Sequence, residues 1–129
     1  LGFFTASDWA PNLPGERNTQ FVKAFEAAHG YVPASYAAHA YDTAFLLDAA
    51  IKARGGKLGD KPALRAAIET VSFPSVRPSF KFGKNHFPVQ DFYLCKVAKR
   101  PDGKFQTEIV RKVLTEDVDA YAAECRMPA

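Results

Sequence analysis

Apolar and polar positions divide this chain into one short leading strand, three helices and a closing run of strands. "LGFFTAS" is an aromatic-rich run that predicts a strand ending at Ser7. "DWAPNLPGERN" carries two prolines, a glycine and two asparagines, and predicts a loop. In "NTQFVKAFEAAHG" the residues Phe21, Val22, Phe25 and Ala28 form an apolar stripe at helical spacing. Asn18 or Thr19 would cap this helix and Gly30 would stop it. Pro33 disfavours helical geometry at Val32, so "YVP" reads as an extended link.

A long helix is expected from about Tyr36 to Arg54, capped by Ser35 and stopped at Gly55-Gly56. Its predicted stripe is Ala37, Ala40, Tyr41, Ala44, Leu47 and Ile51, with Phe45 and Leu46 widening the apolar face. So broad and alanine-rich a stripe predicts burial against neighbours on more than one side. Asp60 should cap a third helix, "KPALRAAIETV", with Pro62 in its first turn where the missing N–H costs little.

Beyond Phe73 the period changes from helical to alternating. Phe80 and Phe82 alternate with Ser79 and Lys81 as in a half-buried strand, and "GKNHFP" is a turn. "VQDFYLCKVAK" predicts a strand with Tyr93, Cys95 and Val97 on one face and Phe92, Leu94 and Lys96 on the other. Pro101-Asp102-Gly103 is a strong hairpin signal, and "FQTEIVRKVL" returns as the next strand. "TEDVDAYAAECRM" is expected as a short terminal helix or a loop. A single leading strand with three helices cannot build a doubly wound sheet, because parallel strands need partners. The chain also opens at Leu1 inside a strand pattern, which predicts a piece of something longer.

Composition narrows the function classes. The 129 residues are 47% hydrophobic and 24% charged, with a net charge of +3, which is ordinary for a single domain with a substantial core. The basic residues are scattered rather than gathered on one stripe, which argues against nucleic acid as a partner. No apolar run approaches the roughly 18 residues of a membrane span, and none has signal-peptide character.

Few residues offer chemistry. His39 and Asp42 stand at i and i+3, a spacing suited to a metal or a general-base pair, but no third ligand or HExxH motif accompanies them. A helix-surface histidine beside a carboxylate is the favoured alternative. Trp9 lies in a loop just past a strand end, where open α/β sheets bind ligands, although closing the base of its own loop is the favoured alternative. Cys95 and Cys125 permit one intrachain disulfide, worth on the order of 3–4 kcal/mol, or they are two unrelated thiols. No GxSxG, phosphate-cradling or dinucleotide motif occurs, so the residues indicate neither an enzyme nor a cofactor.

Order and spacing together carry more than any single motif. Phe21 to Pro33, then Tyr36-Ala37 and Tyr41-Asp42-Thr43-Ala44 ahead of the alanine-rich helix, then "SVRPSFKFGKNHFPVQDFYLCKV" and the tail "DAYAAECRM", resemble the closing third of the Leu/Ile/Val-binding-protein family. These are type I periplasmic solute-binding proteins of ABC importers. Pro78 replaces a usual glycine, and Cys95 stands where a charged residue is common. The resemblance implies an α/β C-terminal fragment of a two-lobed protein, three helices followed by a β-meander. Residues 1–33 would come from the second lobe and 34–73 from the first, with 74–129 as hinge-proximal strands and tail. It also implies a periplasmic location, a signal in the precursor, ABC permease subunits as partners and a small amino-acid-like or aromatic carboxylate as ligand. By position, Tyr36 would face the inter-lobe cleft and pack on that ligand, with His39 at its rim. A tyrosine at a helix mouth, with alanines leaving room beside it, suits such a role. Two other uses stay open: a ligand-sensing receptor or regulatory domain of the same fold, and a small self-contained interaction domain.

Overall fold

The computed structural model describes residues 1–78 and 80–126. Elements follow the order β1 (Phe4–Ser7), α1 (Glu16–His29), α2 (Ser35–Ala53), α3 (Lys61–Thr70), β2 (Lys81–Phe82), β3 (Pro88–Lys99) and β4 (Phe105–Asp117). All strand pairings are antiparallel, and β3 is the common partner. Phe4–Ser7 of β1 run against Lys96–Tyr93 of β3, Lys81 and Phe82 of β2 against Val89 and Pro88, and β4 along nearly the whole length. The leading strand therefore joins the closing strands rather than waiting for a parallel neighbour. The β3–β4 turn closes through Arg100 N–H to the Lys104 carbonyl, 2.8 Å, with Gly103 at φ 85°, a conformation a glycine adopts without strain.

The core forms where α1 and α2 meet the loop after β1 and the inner face of β3. Trp9, Ala10, Leu13, Phe21, Ala38, Val76, Tyr93 and Cys95 are its buried members. Phe21 is its hinge of aromatic contacts, with ring centroids 5.9 Å from Trp9 and 4.7 Å from Tyr41. Tyr93 and Cys95 share the inward face of β3, as the alternation predicts.

Several boundaries differ from expectation. Helix α1 starts at Glu16 with Gly15 as its N-cap, and Asn18 lies inside it, 1% exposed. Asn18 carries the same side-chain chemistry as an N-cap, but the nearby loop supplies better partners. Ser35 falls within α2, whose N-cap is Ala34 in extended backbone without a side-chain cap. The end of α2 holds at Arg54, followed by Gly55 and Gly56 at positive φ. Asp60 does cap α3, its Oδ1 accepting from Ala63 N–H at 3.1 Å.

The inward row of α2 is Ala38, Asp42, Leu46 and Ala50, one residue off the expected stripe. Ala40, Ala44 and Leu47 are exposed. The reason is Asp42, whose buried partners lie on the core side and turn the helix toward them. The segment after Asp117 forms turns, the loop alternative of the expectation. The predicted Ser79 strand position and Met127 of the tail lie outside the described residues.

Of the two alternatives for Cys95 and Cys125, the structure shows the unrelated thiols: both are free. Cys95 is fully buried in the middle of β3, facing the core, whereas Cys125 sits exposed beyond β4. Burial pushes the Cys95 thiol above its ordinary pKa, which makes it an inert packing residue.

Candidate functional site

The end of β1 and the first turns of α2 converge on a small group of polar and aromatic side chains. Trp9 stands at the base of this group, 1% exposed. Its indole N–H donates to Asn18 Oδ1 at 2.7 Å, and Asn18 Nδ2 donates to the carbonyls of Pro11 (3.1 Å) and Leu13 (2.7 Å). The amide thus ties loop, tryptophan and α1 together, and every polar atom involved is satisfied. This is the loop-closing arrangement that the sequence offered as the alternative for Trp9.

Tyr36 has the opposite environment. It is 84% exposed at the mouth of α2, and its ring meets the His39 ring edge-on with centroids 6.2 Å apart. An exposed tyrosine beside Ala37 and Ala40 presents a ring face and a hydroxyl with no described residue packed over them. His39, one turn further, is half-buried, and its Nε2 lies 2.8 Å from Asp8 Oδ2.

His39 and Asp42 do not pair. Asp42 instead faces the core and takes three donors: Ser75 Oγ–H at 2.6 Å, Val76 N–H at 2.9 Å and Arg77 Nε–H at 3.0 Å. Arg77 continues through Nη1 to Asp8 Oδ2 (3.2 Å) and Gln90 Oε1 (2.9 Å), and its guanidinium lies over the Phe80 ring at 4.2 Å. Four segments of the chain meet at this arginine: the end of β1, α2, the stretch after α3, and β3. Arg77 and Gln90 lie in the stretch that carries the family resemblance, but no sequence pattern joins them to each other or to Asp8, because the three are far apart along the chain. Tyr41, half-buried against Phe21 and Phe45, is part of the packing.

A separate groove of about 340 Å³ runs between α3 and β2, lined by Leu64, Ile68 and Phe82 with His86 and Glu69 paired at 3.0 Å on its edge. It shares no residue with the Tyr36 group. Among the described residues no set of three His, Cys, Asp or Glu side chains is placed to hold a metal ion, and no helix is long and apolar enough to cross a membrane.

Residues 1–104 match the family model for periplasmic binding proteins. Among solved structures, the chain is 34% identical to a solute-binding protein of an ABC transporter from R. palustris crystallised with benzoate. That match covers 98% of this chain and 33% of the other, with a TM-score of 0.85. A solute-binding protein from Rhodopseudomonas palustris BisB5, in complex with 3,4-dihydroxybenzoic acid, is 30% identical over 93% of this chain with a TM-score of 0.80. An ABC transporter substrate-binding protein from Sphaerobacter thermophilus is 26% identical over 91%, with a TM-score of 0.78. No curated protein sequence matches. The chain spans about a third of the length of the solved relatives it matches. Its three helices and antiparallel strands, its core and the matched 104 residues make it a member of the periplasmic binding protein family, a family of binding proteins rather than enzymes.

Proposed function

We propose that this chain is the C-terminal third of an extracytoplasmic solute-binding component of an ABC importer. It supplies one wall of a cleft that closes over a small carboxylate, with an aromatic acid favoured over a branched-chain amino acid. The observation that carries this reading is Tyr36, which is 84% exposed at the helix mouth in a chain 34% identical to a benzoate-bound relative. A large aromatic left bare beside small residues is what a ligand wall requires before its ligand arrives. Residues 1–33 belong to the second lobe, 34–73 to the first, and the strands from about 74 onward run near the hinge. Tyr36 stacks on the ligand ring and His39 lines the rim, while Trp9 supports the wall from beneath. Closure of the lobes, a hinge motion, sequesters the ligand and presents the closed form to permease subunits in the membrane.

Isothermal titration tests this directly, using a family-length protein that carries these residues and, separately, residues 1–129 alone. Benzoate, hydroxybenzoates and leucine are the probes. The family-length protein is expected to bind an aromatic acid at micromolar or tighter affinity, and the short chain to bind none measurably. Failure of the family-length protein to bind any of them, or micromolar binding by the short chain, would overturn the reading.

A further inference from the structure

His39 is held by a relay of charges that fixes which of its nitrogens carries a proton. The Asp8 carboxylate oxygen that meets His39 Nε2 at 2.8 Å also accepts from Arg77 Nη1 at 3.2 Å. The side chains of Asp8 and Arg77 are each 10% exposed, so neither is free to turn away into solvent. Arg77 is anchored in turn by Asp42 and Gln90. A carboxylate engaged by a guanidinium can only accept hydrogen bonds, so Nε2 is the protonated nitrogen of the neutral His39 ring. The other nitrogen, Nδ1, keeps its lone pair and meets no described residue. The ring itself is 38% exposed and abuts Tyr36.

We propose that Asp8 is a positioning residue of the ligand wall: held by Arg77, it locks His39 as the Nε2–H tautomer and leaves Nδ1 as a hydrogen-bond acceptor beside the Tyr36 ring. The proposal rests on the reading that this wall touches ligand. An aromatic face with one fixed acceptor at its edge selects an aromatic acid that carries a ring hydroxyl. The hydroxyl donates to Nδ1 on closure, whereas an unsubstituted ring leaves that nitrogen desolvated and unpaired. Selectivity would then come from a residue at the end of β1 that itself touches no ligand.

Two measurements on the family-length protein decide it. Long-range proton–nitrogen correlation spectra at pH 8 report the His39 tautomer, assigned with His39→Gln. The wild type should show the Nε2-protonated pattern, and Asp8→Asn should lose it, because a carboxamide can donate as well as accept. Calorimetric titration with benzoate, 3-hydroxybenzoate and 4-hydroxybenzoate should show the wild type preferring one hydroxy acid over benzoate by about tenfold or more. In Asp8→Asn that ratio should fall below about twofold, and His39→Phe, which keeps the Asp8–Arg77 pair, should abolish it as well. An Nδ1-protonated wild-type ring would overturn the proposal. So would an unchanged ratio in either variant, including a uniform loss for all three acids, which would mark Asp8 as scaffold only. A wild type that binds benzoate with no hydroxyl preference sinks this proposal and leaves the binding function standing. A wild type that binds leucine but none of the three acids also sinks this proposal alone, and one that binds neither the acids nor leucine removes both.

Discussion

Asp42 and Asn18, read from the sequence as a partner of His39 and as a helix cap, are both buried polar anchors in the fold. Asp42, one position past Tyr41 in a helix, reads from the sequence as a carboxylate near a histidine. In the fold it is 2% exposed and holds Ser75, Val76 and Arg77 against α2. A carboxylate so enclosed is stabilising only while all its donors remain, because each partner left behind would be buried without a bond. Asp42→Ala is therefore expected to destabilise the protein by about 3–5 kcal/mol in urea titration, with Asp42→Asn losing less. A change below about 1 kcal/mol for Asp42→Ala would show the network to be dispensable. Asn18 was legible as a helix-start residue by type but not by role. Its partners, the Trp9 indole and two loop carbonyls, lie in a segment whose path no local pattern specifies. Tyr36 and His39 were legible as neighbours one helical turn apart. The Asp8 that orients His39 was not, since 31 positions separate the two.

At the scale of elements, hydrophobic period identified every helix and the long hairpin, and errors gathered where a polar side chain faces inward. The α2 stripe is displaced toward Ala38 and Ala50 because Asp42 belongs to the core. Strand β4 runs on to Asp117, into the segment expected as a helix or a loop, and the described residues beyond it form turns. Two buried-side carboxylates fasten the hairpin to its surroundings. Glu26 of α1 accepts from Arg100 and, at 3.2 Å, from Lys104 in the β3–β4 turn. Asp91 of β3 accepts from Lys112 of β4 and from the Glu116 amide at 2.9 Å. The bond from Arg100 holds the Glu26 pKa below its ordinary 4.5. Burial works to raise Asp91, but the hydrogen bonds from Lys112 and the Glu116 amide outweigh it and leave that pKa below 3.8. Because the folded values lie below the unfolded ones, their stabilisation is complete well above these ordinary values. It is lost as pH falls through the lower folded ones. Urea midpoints should accordingly drop between pH 6 and pH 2.5, and Glu26→Gln should make that drop shallower. A Glu26→Gln profile parallel to wild type would show that this pair does not couple to folding.

Over the whole molecule, large apolar side chains are left bare, among them Phe3 and Phe4 at β1, Leu47 on α2, and Val110, Val113 and Leu114 on β4. The chain spans about a third of the length of its solved relatives, and the burial of α2 on more than one side that its broad stripe predicts is not seen: Ala40, Ala44 and Leu47 are exposed. The matched family and the order of elements were legible in the sequence, because many weak signals agree in spacing. What the sequence could not show is the meeting of four segments at Arg77, which exists only once β1 has paired with β3. That meeting point separates the buried residues that hold the fold from the exposed Tyr36, which the proposal assigns to a ligand. Tyr36 is the test of the division. In the family-length protein, Tyr36→Ala should weaken binding of the preferred aromatic acid by about 1–3 kcal/mol. The ligand-free melting temperature should stay within about 2 °C of wild type. A large fall in ligand-free melting temperature with unchanged affinity would place Tyr36 in the core and contradict the account.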